Sequence, residues 1–188
     1  MKNPKITIRA AGREDAAAIA EVVAMAIGDQ VALHDYCGER YLDVLTEVAQ
    51  TDGTQYSWRN ALVAEVDGVV AGAIVGYDGA LLGRLREGTF GVVRKHTGRT
   101  PTIPDETEAG EFYLDSVAVF AKFRGVGVGR ALLKVLRDKA FAEGHQRVGL
   151  IVDTDNPQAE RLYTSIGFSR VGRRLFFGHQ MWHLQVTK

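Results

Sequence analysis

"VAVFAKFRGVGVGRALL", residues 117–133, is the stretch on which the fold turns. It opens on a β-rich run, passes through glycines at alternate positions (Gly125, Gly127 and Gly129), and enters an apolar helical pattern. Glycine costs about 1 kcal/mol in a helix interior relative to alanine, so three of them at a helix start need a reason. A helix N-terminus has unpaired N–H groups and a partial positive charge, which together bind phosphate. Glycines allow unusual φ and let backbone approach a ligand with no Cβ in between. Arg124 and Arg130 flank the turn and add charge. The spacing is G-x-G-x-G, which excludes the Walker loop and departs from the G-x-G-x-x-G dinucleotide fingerprint. Close packing of a helix on a strand through small residues is the plainer account, and both readings stay open on this stretch alone.

Working outward, "EFYLDSVAV" (111–119) reads as the strand before the turn. The helix after it carries Leu132, Leu133, Leu136 and Ala140 as its apolar stripe and stops at Gly144. "RVGLIVD" is a further strand. In "TDNPQAERLYTSIGF", Asn156 suits an N-cap, Pro157 the first helical position, and Gly167 the end. "FSRVGRRLFFGHQMWHLQV" closes the chain as two strands, with Trp182, Leu184 and Val186 alternating. Upstream, "KITIRAA" reads as a strand and "GREDAAAIAEVVAMAI" as a helix with Ile19, Val22, Val23, Ala26 and Ile27 at helical spacing. Residues 28–50 read as a loop and a second helix with Tyr41, Leu42, Leu45 and Val48 on one face. "ALVAEVDGVVAGAIVGYDG" is a hairpin turning at Asp67-Gly68. Residues 78–110 read as a long loop, with a short helix at "LLGRLRE". The order is β, α, α, β, β, loop, β, α, β, α, β, β. That predicts one α/β or α+β domain over 1–188, with two strand–helix–strand units around a mixed sheet.

The composition is ordinary for a globular chain: 188 residues, 46% hydrophobic and 24% charged. The 23 basic and 23 acidic residues cancel, so no general attraction to nucleic acid or an anionic membrane follows. The basic segment Arg84 to Arg99 reads as a solvated face or a lid. A single cysteine, Cys37, forms no internal disulfide and fits a reducing, cytoplasmic setting. "MKNPKITIRAAGRED" has no apolar core, so no secretory leader is expected, and no run approaches the roughly 18 apolar residues of a membrane span. His34, His96, His145, His179 and His183 show no ligand spacing, so no metal is expected.

The opening stretch resembles the central motif of the GCN5-related N-acetyltransferases (GNAT), Arg/Gln-x-x-Gly-x-Gly/Ala after a strand ending in apolar-Ala-Val. In this sequence the motif falls on Arg124, Gly127 and Gly129. "DNPQAERLYTSIGF" resembles the family's second motif, on Asn156, Ala159, Leu162, Tyr163, Gly167 and Phe168. Two motifs in the right order are far more specific than either alone. The resemblance covers nearly the whole chain and is poorest over 78–110. It implies a mixed, mostly antiparallel central sheet of about seven strands flanked by helices, with acetyl-CoA as co-substrate and no metal. By resemblance, the backbone amides of Arg124, Gly125, Val126, Gly127, Val128, Gly129 and Arg130 hold the pyrophosphate. Val117, Ala118 and Val119 meet the pantetheine arm with their main chain, like an added strand, and Asn156 reaches it from the opposite side. This demands that the strands 112–119 and 148–153 splay apart, since a paired edge has no free amides.

Transfer of an acyl group to an amine needs a proton acceptor, because an alkyl ammonium has a pKa near ~10.4. The leaving thiolate needs a donor. Tyr163, two helical turns after Asn156, is the candidate acid that the resemblance implies; a half-buried core tyrosine is the plainer account. Glu111, Tyr113 and Asp115 alternate on one strand face, a parity that Val117 and Val119 share unless a bulge breaks it. Glu111 and Asp115 are the candidate bases, and each reads equally as a surface carboxylate or an arginine partner. The Val117 N–H is the candidate oxyanion donor. Tyr36 and Tyr41, between the first two helices, lie where the resemblance implies the acceptor pocket. Cys37 reads as a small apolar filler.

The function expected is direct N-acetyl transfer to the amine of a small molecule or peptide, with no nucleic-acid or membrane partner. A non-catalytic acyl-CoA-binding sensor on the same fold is one alternative. A nucleotide-binding protein using the glycine turn for another phosphate is the second. The C-terminal strands offer an edge through which a homodimer could form.

Overall fold

A computed structural model describes residues 4–188; Met1, Lys2 and Asn3, the start of the segment read for a leader, lie outside it. The β-rich runs around Asp67-Gly68 form the expected hairpin, β2 (Ala61–Val66) and β3 (Val69–Asp78). Both turn residues have positive φ, 51° and 82°, as a two-residue turn matched to strand twist requires. On one side β1 (Ile6–Ala10) pairs antiparallel with β2. On the other, β4 (Phe112–Val119) pairs antiparallel with β3. β5 (Arg147–Asp153) runs parallel to β4, β7 (His179–Thr187) antiparallel to β5, and β6 (Ser169–Phe176) forms the edge. The order is β1-β2-β3-β4-β5-β7-β6, the mixed, mostly antiparallel seven-stranded sheet expected.

Helices α1 (Ala16–Ile27), α2 (Gln30–Cys37), α3 (Tyr41–Gln50) and α4 (Leu82–Thr97) cover one face. Helices α5 (Val128–Ala142) and α6 (Pro157–Thr164) cover the other. In α5 the stripe Leu132, Leu133, Leu136 and Ala140 is buried against the sheet. Burying a Leu side chain contributes roughly 1.5–3 kcal/mol. Among the described residues no helix is long and apolar enough to cross a membrane.

Two stretches depart from the sequence reading. Residues 28–50 hold two helices, because Asp29 caps α2 by accepting from the N–H groups of Val31 (2.7 Å) and Ala32 (3.1 Å). In α3 the buried face is Val44, Leu45, Val48 and Ala49, and Leu42 is exposed. Residues 82–97, read as loop apart from a short helix at 81–87, form the 16-residue α4. Its buried residues Leu82, Leu85, Arg86, Thr89, Val92 and Val93 recur at helical spacing. Gly88 within it looks like a breaker, but a Cβ there would collide with the carbonyl oxygen of Gly53, so it is a point of close approach.

Two irregularities of β4 shape the centre of the sheet. Ser116 lies opposite Val75 and Leu114 opposite Gly76, so Asp115 is an extra, bulged residue. Tyr113 packs with Tyr77 and α4, whereas Val117 and Val119 pack on the α5 side. The shared face expected for Glu111, Asp115, Val117 and Val119 is therefore broken at the bulge. In addition, β4 pairs with β5 only at Phe112↔Val148 and Tyr113↔Gly149. Beyond that the two strands part, although β4 stays paired with β3 to Val119 and β5 with β7 to Asp153. This is the splay that the resemblance demanded.

Candidate functional site

A cavity of about 610 Å³ runs through the splay. β4 lines it from Tyr113 to Val117, β5 from Leu150 to Asp153, and α6 with Ala159 and Tyr163. From the other face come the end of α1 (Met25 to Ile27), Tyr36 of α2, Gln55, Tyr56, Arg86, Ile103 and Glu106. The β6–β7 turn adds Phe176, Phe177 and His179.

The glycine turn adjoins the open end of β4. Gly125 and Gly127 have φ of 81° and 94°, where residues bearing a Cβ are strained. A Cβ on either would meet nothing within 4 Å, so neither is there for helix–strand packing. Gly127 is the N-cap of α5, and Ala131 N donates to its carbonyl at 3.0 Å. The amides of Val128, Gly129 and Arg130 precede the first intrahelical bond. Gly129 sits over β4, with its notional Cβ 3.5 Å from Val119. Arg124 Nε donates to the Val119 carbonyl (3.1 Å), tying the turn to the strand end. Val126 is exposed and Val128 buried.

Asn156 caps α6, its Oδ1 accepting from Ala159 N at 3.1 Å, with Pro157 at the first turn as expected. Tyr163, two turns along, is half-buried with its ring edge-on to Phe168. Burial pushes its phenol up to about 12, so it holds its proton throughout the neutral range. It lines the cavity from the α6 side, as Asn156 does.

At the opposite end stands a linked set of buried polar groups. The Tyr77 hydroxyl donates to Asp115 Oδ2 (2.6 Å) and the Ser116 hydroxyl to Asp115 Oδ1 (2.8 Å). Gln55 Nε2 reaches the Tyr77 oxygen (3.1 Å) and Glu106 Oε1 (3.2 Å). Arg86 pairs with Glu106, donates to Asp105 (2.6 Å), and donates to the Ile103 and Pro104 carbonyls. Burial raises Asp115, against the hydrogen bonds from Tyr77 and Ser116 and the charge of Arg86. Burial and the charge of Asp115 push Glu106 up to about 7, against the opposing Arg86. A carboxylate poised near neutrality can take a proton at working pH. Tyr36 and Tyr56 complete this end, their phenols held protonated by burial.

Glu111 stands apart. It accepts from Thr107 Oγ1 (2.6 Å), Gln185 Nε2 (2.7 Å) and His183 Nε2 (2.9 Å), outside the cavity. Burial works against its charge, but those hydrogen bonds more than offset it and hold the carboxyl below its usual range. Of the two carboxylates singled out by sequence, the structure brings only Asp115 into the cavity. Tyr36 lines it too; Tyr41 lies outside, beside His34. Cys37 is buried, its thiol pushed up to about 12, in keeping with an apolar filler. Glu106, Arg86 and Gln55 were missed. A usable signal existed: Arg86 falls on the apolar stripe of α4, and a buried cation needs an anion.

An acyl-CoA needs amides for its diphosphate, an unpaired strand edge for its amide-bearing arm, and a passage for its thioester. The turn at 124–130, the open edge of β4 and the cavity fit those requirements. The acetyltransferase (GNAT) family model matches residues 31–168. N-alpha-acetyltransferase RimI of Mycobacterium tuberculosis (strain ATCC 25618 / H37Rv) is 41% identical over 98 residues, 52% of this chain and 54% of that protein. The match thus spans about half the length of that curated relative. The crystal structure of an acetyltransferase aligns at 35% identity and a TM-score of 0.82, covering 96% of this chain and 98% of that one. That of an N-acetyltransferase from Staphylococcus aureus Mu50 aligns at 28% identity and a TM-score of 0.83, covering 96% and 100%.

Proposed function

We propose, from the premise that the chain belongs to the acetyltransferase (GNAT) family, that it moves the acetyl group of acetyl-CoA directly onto the nitrogen of an amine. The observation that carries this reading is the β4–β5 splay, which joins an unpaired strand edge to a cavity with a proton acceptor at one end and a phenol at the other.

The amides from Arg124 to Arg130 hold the diphosphate, helped by the N-terminal charge of α5. Val117, Ala118 and Val119 bind the pantetheine arm through their main chain, and Asn156 meets it from across the splay. The ammonium first gives one proton to the Asp115–Glu106 pair, which returns it to solvent; the free amine nitrogen then attacks the thioester carbon, and a C–N bond forms. The Val117 N–H stabilises the charge that develops on the carbonyl oxygen. The second proton, lost by nitrogen as the amide forms, passes to the same pair. The C–S bond then breaks, and Tyr163 gives its proton to sulfur. The products are an N-acetyl amide and the free thiol of CoA, and Tyr163 regains the proton that nitrogen released. Glu111 takes no part in this chemistry; it pins β4 to β7.

Calorimetric titration of the purified chain with acetyl-CoA, beside ATP and NAD, tests this. Saturable binding of acetyl-CoA alone is expected. Equal affinity for ATP, or no binding of acetyl-CoA, would overturn the reading.

A further inference from the structure

The chain as a whole is neutral, but the cavity is not. Asp29, Glu106, Asp115 and Asp153 line it, against one arginine, Arg86, and one histidine, His179. Both basic groups are engaged. Arg86 is committed to Glu106 and Asp105 through its two terminal nitrogens, with only its buried Nε–H left without an acceptor among the described residues, and His179 Nδ1 lies 3.0 Å from Asp153 Oδ2. Apart from that one N–H, the charges of both basic groups in the lining are already paired with carboxylates.

A second observation points the same way. Gln55 is 2% exposed and lines the closed end. Its Nε2 faces two acceptors, the Tyr77 oxygen and Glu106 Oε1, which fixes the orientation of the amide. Its Oε1 is then a buried acceptor with no donor among the described residues. A buried acceptor left unpaired is costly and is satisfied by whatever donor arrives. The cavity lining thus holds Asp115 and Glu106, with the unpaired Gln55 amide oxygen buried beside them, together with the apolar Met25, Ala26, Ile27 and Ile103.

Resting on the acetyltransferase reading above, we propose that the acceptor is a primary amine on an apolar stem, carrying no carboxylate on the amino-bearing carbon. It enters as the ammonium ion, with its N–H groups directed at Asp115, Glu106 and Gln55 and its stem against the apolar wall. A free α-amino acid would bring its own carboxylate beside Asp115 and Glu106, where the one arginine is already paired with Glu106. Specificity then comes from repulsion as much as from attraction.

Three matched probes isolate that single group: n-pentylamine, norleucine amide and norleucine. Calorimetry with the full chain, alone and with CoA, is expected to show at least hundredfold weaker binding of norleucine than of the other two. Acetylation rates are expected to follow the same order. Asp115→Asn and Gln55→Met, checked for unchanged melting, are each expected to narrow that ratio about tenfold. Norleucine binding as well as its amide, or no binding by any of the three, would overturn the proposal. So would an unchanged ratio in both variants. Acetyl-CoA binding, measured in the same samples, separates this from the reading on which it rests. Intact acetyl-CoA binding with the wrong amine order strikes only the acceptor class, and absent acetyl-CoA binding strikes the acetyltransferase itself.

Discussion

The hydroxyl of Tyr77 in β3 donates a 2.6 Å hydrogen bond to Oδ2 of Asp115 in β4. Tyr77 lies opposite Tyr113 in the register, not opposite Asp115. The bond forms because Asp115 is the bulged residue, and it turns the carboxylate towards the cavity while Val117 turns to the other face. Tyr77→Phe removes a donor to the charged form, so the Asp115 carboxyl should rise further. A hydrogen bond to a charged group contributes about 1.5–3 kcal/mol. The rising limb of the pH–rate profile should therefore move up by about one to two pH units. An unmoved limb would separate Asp115 from the chemistry.

Glu106→Gln addresses the same limb from its partner. Glu106 is neutral below about 7 and charged above it, so activity should rise with pH through that point and the variant should lose the step. Stability carries the opposite sign. The carboxyl is raised from 4.5, so the folded state holds the extra proton between 4.5 and about 7. Its contribution is present below 4.5 and lost as pH rises through that window. Urea titrations at pH 5 and pH 8 should show this loss in the parent and not in Glu106→Gln.

Tyr163→Phe should lower kcat by about a hundredfold, the low end for a removed proton donor. Its effect on acetyl-CoA affinity should be small, because the ring and its contact with Phe168 are kept. Single-turnover kinetics beside calorimetry checks both halves. An unchanged kcat would return this residue to a packing role.

Gly127→Glu should weaken acetyl-CoA binding at least tenfold. The site has φ of 94°, so any side chain is strained by about 1–2 kcal/mol, and this one adds a negative charge where phosphate is expected. A Cβ there meets no neighbour, so the fold should survive with a melting point lower by a few degrees. Unchanged affinity would remove the turn from the binding site.

Much of the frame was legible along the chain because it is governed by local rules. The Asp67-Gly68 turn, the Asn156-Pro157 helix start and the stripe of α5 are each decided by residues within a few positions of one another. Helix α4 was legible only in its first turns, and Gly88 further along has its reason in a contact with Gly53 far back in the chain. The position of the candidate phosphate turn was also written in its glycines, since positive φ is a property of single residues.

The reactive end was decided only in three dimensions. Glu111 and Asp115 are alike as letters on a strand. A bulge directs Asp115 to the cavity, and hydrogen bonds from the nearby Thr107 and from the distant His183 and Gln185 hold Glu111 away from it. Glu106 sits in an acidic run with nothing local to mark it; burial beside Asp115 and Arg86 brings it near neutrality. Local sequence determines where the backbone turns and which face is apolar. Charge, burial and proton affinity depend on what the fold brings alongside, and so the acid–base character of this cavity belongs to the tertiary structure.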